Sequence, residues 1–411
     1  MLKLKLHWQI LIAMGIGIIL GLIFQNSINS SIYQLITSLG VIFVRLLKMV
    51  IVPLIFSSIV TGVSGIGGGK SLGRIGFKTF LYYLTTSLCA ILIGLTLTNL
   101  IQPGAGVSIG QQNSFDHANL AKPGSPADIL IRMIPLNPFD AASSGDMLGI
   151  IFFAIFLGVG LTKVDSKHSD LLRNFFLALF EVMMKITSII IKFAPLGVLG
   201  LITKAVATSG FGLFTAVGKY MLTIASGLTL HILIVLPLLF YFLTGMNPIQ
   251  HFKAMRSALA TAFATSSSNA TLPMTMRCVE ENAGVSNKVS SFVLPMGATI
   301  NMDGTAIMQG VATVFIANAY GIDLNFADYL SVILVATLAS VGTAGVPGVG
   351  LIMLAMVLNQ VGLPTEGIAL IIGIDRLLDM TRTAVNVTGD AAISCVVAST
   401  EKKIKPEIYN H

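Results

Sequence analysis

The sequence predicts an all-α polytopic membrane protein whose later spans are broken into re-entrant hairpins. Three observations carry that reading. Of the 411 residues, 54% are hydrophobic and only 10% charged, against about 25% charged in soluble chains. The apolar runs are near or above the ~20 residues that cross a bilayer as a helix, and too long for barrel strands. From residue 254 onward the runs are interrupted by Gly, Ser and Pro, and lipid tolerates irregular backbone only around a cavity.

The elements follow in order. The opening MLKLKLHWQILIAMGIGIILGLIF has a long apolar run and no small-x-small cleavage pattern after it. It reads as a retained first helix over 9–25, not as a leader. Further spans are expected at 33–65, 77–101, 147–163, 174–202 and 212–245. Basic residues recur at every second turn, from Lys3 and Lys5 through Lys70, Arg74 and Lys78 to Lys402, Lys403 and Lys405. Positive-inside bias then puts both termini of this multi-pass chain in the cytoplasm, and the chain in the plasma membrane, or the inner membrane of a Gram-negative cell. The net charge of +7 therefore sets topology and is no argument for nucleic acid. The Gly-, Pro- and Ser-rich connection 102–146 is expected outside, as a surface loop. Arg45 and Lys48, inside FVRLLKMVIVPLIF, either snorkel or pack against other subunits. Cys89, Cys278 and Cys395 are far apart and form neither a disulfide framework nor a zinc spacing.

SGIGGGKSLG at 64–73 imitates a phosphate loop. Ser64 stands where the first Gly is required and no strand precedes it, so it reads as a cytoplasmic turn.

The C-terminal half behaves differently. ALATAFATSSSNATLPMTM is broken at Ser266–Asn269, and VILVATLASVGTAGVPGVGLIMLAMVL at Ser340–Gly350. Each is long enough for two half-spans, so both read as hairpins whose tips meet within the membrane. A further span follows each, over 288–320 and 364–397. Topology makes the first hairpin enter from the cytoplasm and the second from outside. This inverted repeat points to a binding site near the membrane midplane.

Two polar stretches line that site. In DRLLDMTRTAVNVTGD, residues 375–390, the side chains of Asp375, Asp379, Arg382, Thr383, Asn386 and Asp390 fall on one helical face at ~100° per residue. Two arginines, Arg376 and Arg382, cannot neutralise three aspartates. A charge at mid-membrane costs at least ~2.5–3.5 kcal/mol unless it faces protein or water. The stripe therefore reads as a site for a cation together with a carboxylate. In GATINMDGTA at 297–306, Asn301 and Asp303 are two apart, and one regular helix would not aim both at one point. An unwound turn between Gly297 and Gly304 would offer backbone carbonyls beside Asp303. Oxygen-only ligation suits a hard cation such as Na⁺.

TSSSNATLP, NMDGT at 301–305, SVGTAGVPG at 340–348 and DMTRTAVNVTGD at 379–390 together resemble the dicarboxylate/amino acid:cation symporters. That family includes excitatory amino acid transporters and archaeal aspartate transporters. The resemblance covers essentially the whole chain. It implies eight transmembrane helices plus two re-entrant helical hairpins as inverted repeats, a homotrimer, and an elevator mechanism. Residues 1–253 would be mostly trimerisation scaffold, with the helices at 77–101 and 212–245 moving with the transport core. Residues 254–400 would form that core, and 401–411 a cytoplasmic tail.

The resemblance also implies roles. Arg382 would pair with the substrate side-chain carboxylate, and Asp379 with its amino group. Asn386 and Ser268 would hold the main-chain carboxylate, with Thr305 and Thr383 nearby. One sodium would sit among Asn301, Asn386, Asp390 and the Gly297 carbonyl. A second would use backbone around Thr299, Met302, Ser340, Val341 and Thr343. A third would use Tyr83, Thr86 and Ser87 with Asn301 and Asp303. The chain departs from the pattern at Ser266, where archaeal members carry Arg, and at Met380, where animal members do; Arg376, one turn earlier, is the candidate substitute. Gln309 replaces the Glu that animal members associate with proton and potassium coupling, so no dependence on internal potassium is expected.

The expected function is import of aspartate or glutamate with Na⁺, or with H⁺ if Asp303 or Asp390 is protonated. A C4-dicarboxylate symporter and a passive anion conductance are the alternatives. No HExxH or paired His ligands support an enzyme, and no organic cofactor is implied.

Overall fold

The computed structural model describes residues 6–25, 27–64, 70–106, 131, 134–144, 146–209, 212–340, 348–405 and 407–408. Among them there is no strand, only helix and turn, with one isolated antiparallel bridge between Val285 and Ile404. Four helices are long and apolar enough to cross a membrane by length and composition alone: Ser31–Ser64, Arg74–Ile101, Ser166–Lys192 and Thr215–Thr244.

The first half comprises α1 (Leu6–Phe24), α2 (Ser31–Ser64), α3 (Lys70–Ile101), α4 (Pro138–Ser144), α5 (Met147–Leu161), α6 (Ser166–Lys192), α7 (Ala194–Ser209) and α8 (Gly212–Leu230). A π turn, His231–Val235, joins α8 to α9 (Leu236–Thr244). The expected span 174–202 is corrected to two helices. Pro195, the second residue of α7, lacks the N–H that would continue α6, and its ring crowds the preceding turn. The chain turns at Phe193, whose N–H bonds the Ile190 carbonyl. Most of the expected loop 102–146 lies outside the described residues. It contains α4, which opens on Pro138 and is capped by Asn137 Oδ1 accepting from the Phe139 N–H at 2.9 Å.

In this half α1 packs against α7, and α2 against α5, α6 and α7. Arg45 and Lys48 are exposed on α2, beside exposed Ile42 and Met49.

The second half follows the broken pattern. At the expected hairpin one, α10 (Pro248–Thr265) packs against α11 (Ser268–Arg277); at the expected hairpin two, α14 (Phe326–Ser340) packs against α15 (Val349–Gln360). Between them lie α12 (Asn287–Ile300) and α13 (Asp303–Tyr320), and the chain closes with α16 (Ala369–Thr400). At the first tip Ser266 takes a left-handed conformation, φ 51°, and Ser267 Oγ caps α11 by accepting from the Ala270 N–H at 3.1 Å. The second tip, with the candidate residues Val341 and Thr343, lies outside the described residues.

α13 is buried on nearly every side, as an all-round apolar helix must be. It packs against α3, α8, α14, α15 and α16. That central position decides where its first turn, Asp303, ends up.

Candidate functional site

Between α12 and α13 the helix opens at Asn301 (φ −95°, ψ 97°) and Met302 (φ −124°, ψ 51°). The expected interruption is there. It frees Asn301 and Asp303 from helical spacing, so both turn inward and both are fully buried. The Gly297 carbonyl closes the last turn of α12 by accepting from the Asn301 N–H at 2.8 Å. Its second lone pair remains available. Gly297 is required by close approach: a Cβ there would run into Tyr83 Oη and Asp390 Oδ1.

Around that opening the structure gathers an oxygen cluster. Ser87 Oγ donates to Asp303 Oδ1 at 2.9 Å, and Thr86 Oγ1 lies 3.2 Å from the same oxygen and 3.3 Å from Asn301 Oδ1. Asn301 Nδ2 donates to Asp390 Oδ1 at 2.9 Å. Tyr83 Oη donates to the Val293 carbonyl at 3.1 Å. Asn386 ties the two broken elements to α16: its Oδ1 accepts from the Gly304 N–H at 2.8 Å, and its Nδ2 reaches Met302 Sδ at 3.2 Å. Ser340, at the end of α14, approaches Ser87 Oγ at 3.4 Å. Thr299 is half-buried and bonds back onto its own helix.

One turn to two turns earlier on α16 lies a second cluster. Arg382, fully buried, faces Asp379 Oδ1 at 3.0 Å and Asp375 Oδ1 at 2.8 Å. The second contact is close but not aligned as a hydrogen bond, and Arg382 Nε and Nη1 have no hydrogen-bond partner among the described residues. Hairpin two closes over this cluster, with the Gly348 N–H 3.3 Å from Asp379 Oδ2. A Cβ on Gly350 would come within 3.7 Å of Arg382 Nη2 and 3.4 Å of Thr305. Thr383 is buried and its hydroxyl bonds the Asp379 carbonyl. Ser268, the first residue of α11, is buried at the other tip. Arg376 is only half-buried and stands 3.9 Å from Asp379 Oδ2.

The donor set fits a hard cation. Asp303 and Asp390 are buried carboxylates, and neither has a Lys or Arg within 4.0 Å among the described residues. The hydroxyls of Thr86 and Ser87 and the Asn301 side-chain oxygen lie beside Asp303, with His231 and the Asn301 amide nitrogen as the nitrogen contacts of the two carboxylates. Two buried negative charges without a lysine or arginine against them, and with only the His231 ring on Asp303, are strongly unfavourable in a low-dielectric interior.

Residues 6–400 match the model of the sodium:dicarboxylate symporter family. The chain belongs to that family. A proton/sodium-glutamate symport protein of Geobacillus stearothermophilus is 37% identical, over 99% of this chain and 97% of its own. The proton/glutamate-aspartate symporter of Escherichia coli is 36% identical, over 98% of this chain and 94% of its own. Human excitatory amino acid transporter 3 is 35% identical, over 97% and 87%.

For this member of the sodium:dicarboxylate symporter family, two partners went unread in the sequence. Asp375 appeared there as one charge in a stripe, whereas the structure makes it a direct partner of Arg382. His231 was not singled out at all. It sits in the π turn, fully buried, with Nε2 3.1 Å from Asp303 Oδ2. A lone histidine in LTLHILIV carries one signal: Pro237 follows six residues later, and a proline there disturbs the helix.

Proposed function

We propose that the protein is a secondary active symporter that imports aspartate or glutamate, driven by Na⁺. The observation that carries this is the pairing of two buried carboxylates with no Lys or Arg within 4.0 Å among the described residues, Asp303 and Asp390, with a buried guanidinium, Arg382, which shares a helix with Asp390 and backs onto Gly304, the neighbour of Asp303. Cations entering beside Asp303 and Asp390 neutralise the first group. An acidic amino acid neutralises the second, its side-chain carboxylate on Arg382 and its ammonium on Asp379. Neither transfer into the membrane interior is favourable alone, so the two cargoes are coupled through the charge each brings.

Asn386 is the physical link in this reading. It bridges Met302 and Gly304 of the broken helix to the turn of α16 after Arg382. With Ser268, Thr305 and Thr383 it would line the main-chain carboxylate. Asn301, Asn386, Asp390 and the Gly297 carbonyl would hold one sodium. Tyr83, Thr86, Ser87, Asn301 and Asp303 would hold another, and backbone near Thr299, Met302 and Ser340 a third. The same reading gives eight spans and two inverted hairpins, a homotrimer with 1–253 mostly as scaffold, 254–400 with the helices at 77–101 and 212–245 as a core that moves as an elevator, and cytoplasmic termini.

Titration of the purified protein with aspartate, glutamate and succinate, with and without sodium, tests the proposal. Amino acids are expected to bind only with sodium, and succinate weakly because it has no ammonium for Asp379. Succinate binding as tightly as aspartate would favour the C4-dicarboxylate alternative. Sodium-independent binding that follows pH would move the coupling ion to the proton.

A further inference from the structure

We propose that His231 is a positioning residue for a coupling cation, holding Asp303 so that its other oxygen completes the cation cage. This rests on the coupling-ion reading above. The geometry divides the Asp303 carboxylate between two tasks. Oδ2 takes the His231 Nε2–H at 3.1 Å, while Oδ1 faces Ser87 Oγ at 2.9 Å and Thr86 Oγ1 at 3.2 Å. Thr86 in turn lies 3.3 Å from Asn301 Oδ1. Without His231, Oδ2 would have no hydrogen-bond donor among the described residues, and the carboxylate would be free to rotate about its own bond.

The sequence builds this reach by two devices. Pro237 has no N–H to give the Leu233 carbonyl, and the helix relaxes into a π turn over His231–Val235, with the Leu236 N–H bonding the His231 carbonyl. Such turns re-aim one side chain within an otherwise regular helix. The second device is close approach. A Cβ on Gly227 would meet Ile307 Cγ2 at 3.0 Å, and one on Gly94 the Ile307 carbonyl at 2.9 Å. Glycine at both places lets α3 and α8 clamp α13 one turn beyond Asp303. The imidazole then spans the remaining gap.

Its other nitrogen argues against a general packing role. His231 Nδ1 is buried and has no hydrogen-bond partner among the described residues. A histidine retained for packing alone leaves that lone pair uncompensated, and a leucine in LTLHILIV would serve the apolar run better. What His231 supplies and leucine cannot is one directed N–H to a carboxylate, which is a charge-assisted bond.

The test is sodium binding to purified protein without substrate, read by equilibrium binding of labelled sodium and by sodium-dependent thermal stabilisation. His231→Leu is expected to raise the half-saturating sodium concentration at least about tenfold, the scale of one charge-assisted bond. His231→Gln, whose amide also donates, is expected to stay within about threefold of the unmodified protein. Aspartate affinity at saturating sodium is expected to be unchanged in both, which separates positioning from misfolding. His231→Ala replaces His231→Leu if the latter does not fold. Normal sodium affinity in the deletion variant, or no rescue by His231→Gln, would overturn this inference alone. No sodium response in the unmodified protein would overturn the coupling-ion reading, and this inference with it.

Discussion

Arg382 Nη1 lies 2.8 Å from Asp375 Oδ1, two helical turns away on the same face of α16. The guanidinium proposed for the substrate carboxylate thus already has an internal anion. An arginine without substrate is therefore not bare. Acidic substrate must share the guanidinium with Asp375, using the Nε and Nη1 hydrogens that have no hydrogen-bond partner among the described residues.

Asp375→Asn is therefore expected to tighten binding of aspartate. It removes one competing negative charge and keeps the side-chain shape. At an effective dielectric of ~20, a unit charge ~6 Å away alters binding by up to ~3 kcal/mol, so tightening of about tenfold or more is expected. Isothermal titration at saturating sodium measures it. Weaker binding would mean that Asp375 aligns Arg382 and does not compete with substrate.

Arg376 was the candidate substitute for the arginine missing at Ser266 and Met380. The structure leaves it half-buried and 3.9 Å from Asp379 Oδ2, beyond hydrogen-bond distance. Arg376→Ala is expected to weaken aspartate binding by no more than about threefold, since such partly solvated pairs contribute under ~1 kcal/mol. Uptake assays across substrate concentration read this. A loss of a hundredfold would return Arg376 to the substrate site.

Much of this site was legible in the chain because charge in oil is conspicuous. Asp303, Arg382 and Asp390 stand out against their neighbours, and the Gly, Ser and Pro interruptions at Ser266 and after Ser340 marked both hairpins. The break at Asn301–Met302 followed from two polar residues set two apart. What the sequence hid was pairing across helices. His231 meets Asp303 only because α8 and α13 cross at Gly227 and Ile307, a distance of 72 residues in the chain. Pro195 did signal the break after Lys192, but its apolar surroundings made 174–202 read as one span. At Asp375, periodicity gave the shared face with Arg382, yet not that the side chains meet.

Gln309 is buried, and its amide oxygen and nitrogen have no hydrogen-bond partner among the described residues. An amide cannot carry a proton or alternate its charge with potassium. Uptake into proteoliposomes is expected to proceed equally with internal potassium, choline or sodium-free buffer, given an inward sodium gradient. Stimulation by internal potassium above about twofold would place a second cation route elsewhere.

At the end of α16 the chain is strapped back onto α3 and the turn before α12. Glu401, nearly buried, pairs with Arg74 and with Lys78 Nζ at 2.6 Å, both on α3. Two residues on, the Ser286 N–H bonds the Lys403 carbonyl and the Lys405 N–H the Gly284 carbonyl, each at 2.9 Å. The hydrogen bonds to Arg74 and then Lys78 hold the Glu401 carboxyl below its ordinary range. The sign follows from linkage. A carboxyl whose folded value is depressed adds stability above its unfolded value, and loses it as pH falls through the folded one. Glu401→Gln is thus expected to lower the thermal midpoint at pH 7, with the difference from the unmodified protein shrinking as pH falls below about 4.3, the ordinary glutamate value. The bridge geometry offers an independent check. Val285 and Ile404 form a non-hydrogen-bonded antiparallel pair, with Cα atoms ~4.5 Å apart in such pairs, inside the range a disulfide spans. The double variant Val285→Cys, Ile404→Cys is expected to oxidise readily and to keep sodium-driven uptake, because both ends move as one body. Loss of uptake that returns on reduction would show instead that the strap must open during transport.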